Sequence, residues 1–290
     1  MMDADTLLTF AAVARAGGIT RAAQVLNTVQ SNVTAKVKQL EEELGVPLFQ
    51  RHSRGVTLTP AGAQLLPYAD RIGHLLAEAR RAATDAPEPA GELCIGSMET
   101  TAALRLPPIL RAYAGACPGV DVILQTGTSQ ALTREVLDRR LEGALVAGPV
   151  DHPDLLATPV VEEELVLVTA PWVSRPEMLG EAPVKILVFR AGCSYRARLE
   201  ALLTGLRIPT LRRLELGTLE GIIGCVAAGL GVTLLPRAVV AAQAQAGLVA
   251  LHALPPPGEA RVSTMFIRRR DGFASHALTR FLECCLTSNG

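Results

Sequence analysis

Apolar residues in the first part of the chain recur at steps of three and four. Leu7, Phe10, Ala11 and Ala14 predict one amphipathic helix over residues 3 to 17, ended by Gly17-Gly18. A short helical pattern, Thr20 to Leu26, follows. The Thr20 hydroxyl suits an N-cap, Ala22 and Ala23 suit a close helix crossing, and Leu26 is expected to close the helix against the core. After the break Asn27-Thr28-Val29, a longer helix runs from Gln30 to Leu44 and stops at Gly45. Its apolar stripe is Val33, Val37, Leu40 and Leu44. Its other face carries Gln30, Asn32, Thr34, Ala35, Lys36 and Lys38. Two helices joined by a tight turn, the second polar on its exposed side, have the layout of a helix-turn-helix DNA reader.

The pattern then changes twice. From Pro47 to Thr59, two short extended runs flank a turn at Arg54-Gly55, which predicts a β-wing. His52 there reads as a solvated loop histidine in preference to a ligand. Thr59-Pro60 opens a long helix with the expected start signals. Leu65, Ala69, Ile72, Leu76, Ala79 and Ala83 repeat alternately at four and three, an a/d seam of almost three heptads. Such a narrow stripe is expected to pair with a copy of itself and give a dimer. The alternative is packing on the chain's own first helix, since the seam is shorter than a coiled coil ordinarily needs. Asp85 to Gly91 holds two prolines and a glycine, which mark a linker.

Beyond the linker, strand and helix patterns alternate. Strands are expected at Glu92–Gly96, Val120–Gln125 and Ala144–Val146, with helices at Ala102–Gly115 and Ser129–Glu142 between them, and Ser97 to Thr101 as a turn. A second set follows, with strands at 164–168, 185–189, 211–216, 231–235 and 261–268. Its helices are at 194–203, from 219 to 228, after Pro236, and from 274 to 286. This alternation predicts a parallel sheet with covering helices. The strand at 261–268 is placed to return to the first half, so residues 91–290 read as two α/β lobes with a cleft between them.

Composition narrows this reading. At 290 residues, with 49% hydrophobic and 19% charged residues, the chain is long enough for about two domains. Its formal net charge of zero gives no bulk attraction to nucleic acid, so DNA binding must rest on local geometry. The start Met1-Met2-Asp3-Ala4-Asp5 has neither the basic nor the apolar region of a signal peptide. No run approaches a membrane span. A soluble cytoplasmic protein is expected, without membrane partners. The six cysteines, at 94, 117, 193, 225, 284 and 285, have no metal-ligand spacing and read as buried or free thiols.

At this point the residues carry a resemblance. Thr20-Arg21-Ala22-Ala23 with Leu26, then Gln30-Ser31 to Thr34, then Leu40-Glu41-Glu42-Glu43-Leu44-Gly45-Val46-Pro47-Leu48-Phe49-Gln50-Arg51, then Leu58-Thr59-Pro60-Ala61-Gly62, resemble the LysR-type transcriptional regulators. The match is dense over residues 4 to 66. Gly229 to Pro236 resembles the family's late effector-domain motif. The resemblance implies a mixed fold, an all-α winged helix-turn-helix domain plus a two-lobed α/β effector domain similar to periplasmic solute-binding proteins. It implies a winged reader over 1–59, a dimerising linker helix and hinge over 60–90, and an effector domain over 91–290. Lobe 1 would take about 91–163 and 268–290, lobe 2 about 164–267. It also implies double-stranded DNA and a small-molecule effector as partners, a homodimer or homotetramer, and RNA polymerase as a further candidate. Ala35 stands where the family often has Arg, so one bidentate guanine contact is missing.

The candidate DNA-binding residues are Thr28, Gln30, Ser31, Asn32, Thr34, Lys36, Lys38, Arg51 and Arg54. Amides and hydroxyls at the start of the second helix can read base edges. The two lysines and the two wing arginines suit phosphates. Glu41, Glu42 and Glu43 would repel phosphate, which sets where that helix leaves the DNA. The candidate effector residues are Ser97, Met98, Glu99, Thr100, Thr101, Thr128, Ser129, Cys193, Ser194 and Thr218, in stretches where a strand ends and a helix begins. Helix N-termini favour anions, so a small carboxylate is the expected ligand class, with no resident cofactor or metal. Glu99 cuts against a simple anion site and suits an amine. Hydroxyls that merely cap helices are the alternative for each residue alone. Cys193, at a helix start, is also a candidate redox thiol.

Other functions fit less well. A transport component made of the rear residues lacks a signal peptide and does not explain the front helices. An enzyme would need a catalytic set, and the five histidines are scattered, with no Ser-His-Asp arrangement, metal triad or glycine-rich phosphate loop.

Overall fold

The computed structural model describes residues 2–52, 55–181, 184–189, 192, 194–254 and 260–288, without the side chains of Arg51, Glu181, Thr210 and Leu211. It divides into two compact units, Met1–Thr84 and Asp85–Gly290.

In the first unit, α1 (Ala4–Ala16) opens with a capping box in which Asp3 accepts from the Thr6 amide. The unit continues through α2 (Ile19–Val25), α3 (Gln30–Leu44), the hairpin β1 (Phe49–His52) and β2 (Gly55–Leu58), and α4 (Pro60–Thr84). The strands pair antiparallel, Phe49 opposite Leu58. Leu7, Phe10, Val13, Val33, Val37, Leu40, Leu48 and Ala69 form one core. Burying a side chain such as Leu40 contributes about 1.5–3 kcal/mol. Phe10 and Phe49 stack with ring centroids 5.2 Å apart, which ties α1 to the wing. Thr59 holds the entry to α4, its hydroxyl accepting from the Gly62 amide at 3.0 Å and donating to the Pro47 carbonyl at 2.8 Å. Gly62 lets α4 approach the wing, because a Cβ there would lie 2.2 Å from the Leu48 carbonyl oxygen.

Three expectations for this unit change. Thr20 does not cap α2; Gly18 does, without a side-chain bond, and the Thr20 hydroxyl instead donates to Gln30 Oε1 at 3.3 Å. Leu26 is 37% exposed, because α2 ends one residue earlier and leaves it at the turn. The α4 seam divides. Leu65, Ala69 and Ile72 pack into the unit's own core, and Arg15 pairs with Asp70 at 2.5 Å across α1 and α4. Only the later part, Leu76, Ala79 and Ala83, stays exposed, with Tyr68 and Leu75 beside it.

The second unit starts with β3 (Ala90–Ser97), so the last two residues of the predicted linker are strand. It continues with α5 (Glu99–Leu104), α6 (Leu106–Ala116), β4 (Gly119–Thr126), α7 (Ser129–Leu137), β5 (Gly143–Ala147) and β6 (Leu155–Thr169). A short 3-10 helix (Pro176–Glu181) leads to β7 (Val184–Phe189), α8 (Ser194–Gly205), β8 (Thr210–Leu216), α9 (Leu219–Ala227), β9 (Thr233–Pro236) and α10 (Arg237–Gln245). Then come β10 (Ala250–Ala253), β11 (Arg261–Arg269) and α11 (His276–Thr287). The expected turn at Ser97 to Thr101 is partly helix, and the helix expected from Ala102 is two helices meeting at Arg105. Pro107 and Pro108 cause the split, since their missing N–H groups suit only the first turn of a helix.

The main sheet runs β10-β6-β11-β5-β3-β4, with β9 also on β6. It is mixed rather than parallel. β3 is parallel to β4 and β5, whereas β11 is antiparallel to both β5 and β6. β11 breaks the expected all-parallel order, since it lies between β5 and β6 and runs against both. β6 is 15 residues long, far beyond the expected 164–168. Its first part pairs with β11 and its last with β9 and β10, so one strand is shared by both lobes. At the changeover three successive glutamates each take a different arginine. Glu162 meets Arg261 at 3.0 Å, the buried Glu163 meets Arg105 at 2.8 Å, and Glu164 meets Arg237 at 2.8 Å. The Arg237 hydrogen bond holds the Glu164 carboxyl below its ordinary range. β7 and β8 form a separate parallel pair, joined to the β9 approach by the Leu187 amide on the Val232 carbonyl at 2.8 Å.

Candidate functional site

In the first unit the buried stripe Val33, Val37 and Leu40 fixes which side of α3 faces outward. Gln30, Ser31, Asn32, Ala35 and Lys38 are exposed; Thr28 and Thr34 are half-buried. The polar groups are partly engaged with one another. Asn32 donates to the Thr28 hydroxyl at 3.0 Å, and the Thr34 hydroxyl donates to the Gln30 carbonyl at 2.9 Å. The Gln30 amide, oriented by Thr20, keeps its NH2 group on the exposed edge. Val25 and Val29 are 72% and 66% exposed at the turn, a small apolar patch beside this edge.

The basic candidates separate. Lys38 is exposed and pairs with the exposed Glu42 at 3.3 Å. Lys36 instead lies on the flank facing α1 and pairs with Asp5. The acidic run is also engaged within the unit. Glu41 is not a bare phosphate repeller, since it accepts the Leu48 and Phe49 amides at 2.7 and 3.1 Å and so anchors the start of the wing. Glu43 accepts the Met2 amide at 2.5 Å. On the wing, Arg54 and the Arg51 side chain lie outside the described residues.

In the second unit a cavity of about 440 Å³ opens at strand ends. Met98, Glu99 and Thr100 come from the start of α5. Thr126 and Gly127 end β4, while Thr128, Ser129 and Ala131 begin α7. Phe189 ends β7, Ser194 and Tyr195 begin α8, and Leu216 with Gly217 end β8. Thr128 caps α7 through the Ala131 amide at 3.3 Å. The Ser129 hydroxyl donates to Met98 Sδ at 3.2 Å and accepts from the Ala147 amide at 3.2 Å, which fixes the α5 and α7 starts together. Gly192 sits across from α7, its carbonyl 3.5 Å from the Gln130 amide. Its φ of +96° and a would-be Cβ 2.7 Å from Thr128 Oγ1 both require glycine. The Ser194 hydroxyl is buried with no hydrogen-bond partner among the described residues.

Six expected effector residues therefore line one cavity: Met98, Glu99, Thr100, Thr128, Ser129 and Ser194. Ser97 and Thr101 do not. Both are buried in the wall, and the Ser97 hydroxyl donates to the Met98 carbonyl. Thr218 is exposed outside the cavity, where it caps α9 through the Gly221 amide at 3.2 Å. Cys193 lies outside the described residues. Sequence reasoning missed the apolar wall of Phe189, Tyr195 and Leu216. The available signal was position: Phe189 and Leu216 are the last residues of parallel strands, where open α/β sheets bind ligands. Among the other thiols, burial pushes Cys285 up to about 12, which leaves it a poor nucleophile.

A helix-turn-helix reader and a two-lobed α/β domain with a ligand-sized cavity define a DNA-binding regulator coupled to a small-molecule sensor. Residues 4–63 match the family described as bacterial regulatory helix-turn-helix protein, lysR family, and residues 86–289 match the LysR substrate binding domain. The chain is 45% identical over 284 residues to the HTH-type transcriptional regulator GltR of Bacillus subtilis (strain 168), covering 97% of this chain and 95% of that protein. It is 41% identical over 282 residues to the HTH-type transcriptional regulator CzcR of Bacillus anthracis, covering 97% and 96%. Full-length CbnR complexed with its target DNA superposes with a TM-score of 0.70 at 25% identity, over 99% of this chain and 100% of that one. A full-length OxyR from Pseudomonas aeruginosa shares the fold, with a TM-score of 0.69 at 22% identity over 99% and 94%. The chain belongs to the LysR family of transcriptional regulators. Among the described residues no helix is long and apolar enough to cross a membrane.

Proposed function

We propose that α3 reads operator DNA through Gln30, Ser31, Asn32 and Thr34, with Lys38 on phosphate, and that the 440 Å³ cavity binds the small molecule that modulates this reading. The observation that carries the proposal is the convergence of the starts of α5, α7 and α8 on one cavity, with Thr100, Thr128 and Ser194 among its polar groups. Helix starts offer free amides and favour an anionic group, so the effector carries a carboxylate. The cavity serves sensing rather than catalysis, since its Ser129 hydroxyl is committed to Met98 and Ala147 and no histidine lines it among the described residues. The regulator works in the cytoplasm as a homodimer or homotetramer, paired through the exposed Tyr68, Leu75 and Leu76 side of α4, and acts on RNA polymerase at its promoters.

The test is fluorescence anisotropy on a labelled duplex from the DNA upstream of the gene, at two salt concentrations, with and without a panel of small carboxylates. Specific binding that weakens with salt, and shifts by about fivefold or more with one ligand, is expected. No specific complex at either salt concentration overturns the DNA-reading assignment. Specific binding that none of the carboxylates alters overturns the ligand class.

A further inference from the structure

Among the described residues, Glu99 is the one formally charged residue lining the cavity. It is half-buried, and no described residue pairs with it. The cation at the other end of its own helix, Arg105, is spent on the buried Glu163 at 2.8 Å. An ionised carboxylate that faces a cavity with no cation beside it favours a positively charged group there. A second polar group of the lining differs in kind. The Ser194 hydroxyl is buried without a partner among the described residues, at the start of α8, where a helix has free amides. The lining also includes the apolar Met98, Phe189 and Leu216. A ligand with only a carboxylate would satisfy the α8 end and be repelled by Glu99.

We infer that the ligand carries a protonated amine, seated on Glu99, on an apolar body that fills the rest of the cavity. This rests on the reading of the cavity as the effector site. The amine belongs to a zwitterionic amino acid, whose carboxylate takes the α8 end; a plain amine serves as a probe of the Glu99 contact alone. The shared chemistry is the ammonium on Glu99.

Calorimetry on the full chain with two matched sets tests this. One set is L-leucine, 4-methylpentanoate and isopentylamine; the other is L-phenylalanine, 3-phenylpropanoate and phenethylamine. The expected result is that, in at least one set, the amino acid or the amine binds at least tenfold more tightly than the deaminated acid. Glu99→Gln should abolish most of that preference without weakening the deaminated acid, and Glu99→Asp should keep it, which separates charge from folding. A deaminated acid that binds as well as its amine-bearing partners overturns the inference, as does a preference that survives Glu99→Gln, or no binding by any of the six. Leu216→Trp, which fills the cavity, is titrated in parallel. If the acid binds the wild type and is lost in Leu216→Trp, the cavity reading stands and the amine falls. If binding survives Leu216→Trp, the cavity reading falls too.

Discussion

The groups proposed to face DNA and the groups proposed to face the ligand are built differently. On α3, Gln30, Ser31 and Asn32 are consecutive, exposed, and carried by one helix whose back is buried through Val33, Val37 and Leu40. In the cavity, Thr100, Ser129 and Ser194 come from three helices set by three different strands. Ser129 is tied to Met98 and Ala147, and the Ser194 hydroxyl is out of solvent with no partner. The reader is a local surface held by a core behind it. The cavity is a long-range assembly in which the Ser194 hydroxyl has no partner among the described residues. Failure of a core residue should therefore remove the reader whole, whereas the cavity should be tuned by small steric and electrostatic changes.

The largest expected effect tests the first half of that contrast. Leu40 is 1% exposed, and Leu40→Ala should cost about 2–5 kcal/mol, seen as a lower urea midpoint for the first unit with loss of operator binding. Ligand binding in the second unit should persist; its loss would break the contrast. Gly192→Val comes next. The added side chain meets Thr128 at a backbone conformation that disfavours it, so ligand affinity should fall about tenfold, or about 1.4 kcal/mol, while ligand-free operator affinity stays within about twofold. A smaller effect separates two lysines that look alike in the sequence. Lys38→Ala should lower the salt slope of operator binding by about one. Lys36→Ala should leave the slope alone, because Lys36 is occupied by Asp5.

The smallest effect concerns the strand the lobes share. The folded Glu164 carboxyl sits below its ordinary value of 4.5, chiefly through the Arg237 hydrogen bond. A depressed carboxylate contributes stability above its unfolded value and loses it as pH falls through the folded one. Both side chains are more than a third exposed, so Glu164→Gln should cost less than about 1 kcal/mol near pH 7. That difference should vanish as the pH drops well below 4.5; a gap persisting in acid would show that the pair is not its source.

The reader was legible because its signals are local: a stripe at helical spacing, Gly45 as a stop, Thr59-Pro60 as a start. Errors there arose where two faces compete, as in the α4 seam, where Leu65, Ala69 and Ile72 serve the chain's own core and spacing alone cannot say which neighbour arrives. In the second unit the alternation of elements was readable, but strand direction was not. The direction of β11 is set by its long-range pairing with β5 and β6, which its own residues do not signal, and the first half of β6 was hidden by Pro159 and the Glu162–Glu164 run. Cavity residues chosen for their hydroxyls were found when they also began a helix at a strand end, as Thr128 and Ser194 do. Ser97 and Thr101 look the same in sequence but face inward. Phe189, Tyr195 and Leu216 carry no chemical signal of their own, so only the assembled fold marks them.

The central claim is that the exposed edge at the start of α3 reads bases. The direct measurement is anisotropy with a set of operator duplexes, each carrying one base-pair substitution, titrated with wild type and Gln30→Ala at fixed salt. The wild type should lose about 1–3 kcal/mol at the base pair Gln30 contacts, and Gln30→Ala should flatten the penalty there while leaving the other positions unchanged. A Gln30→Ala protein with the wild-type penalty at every base pair would contradict the account.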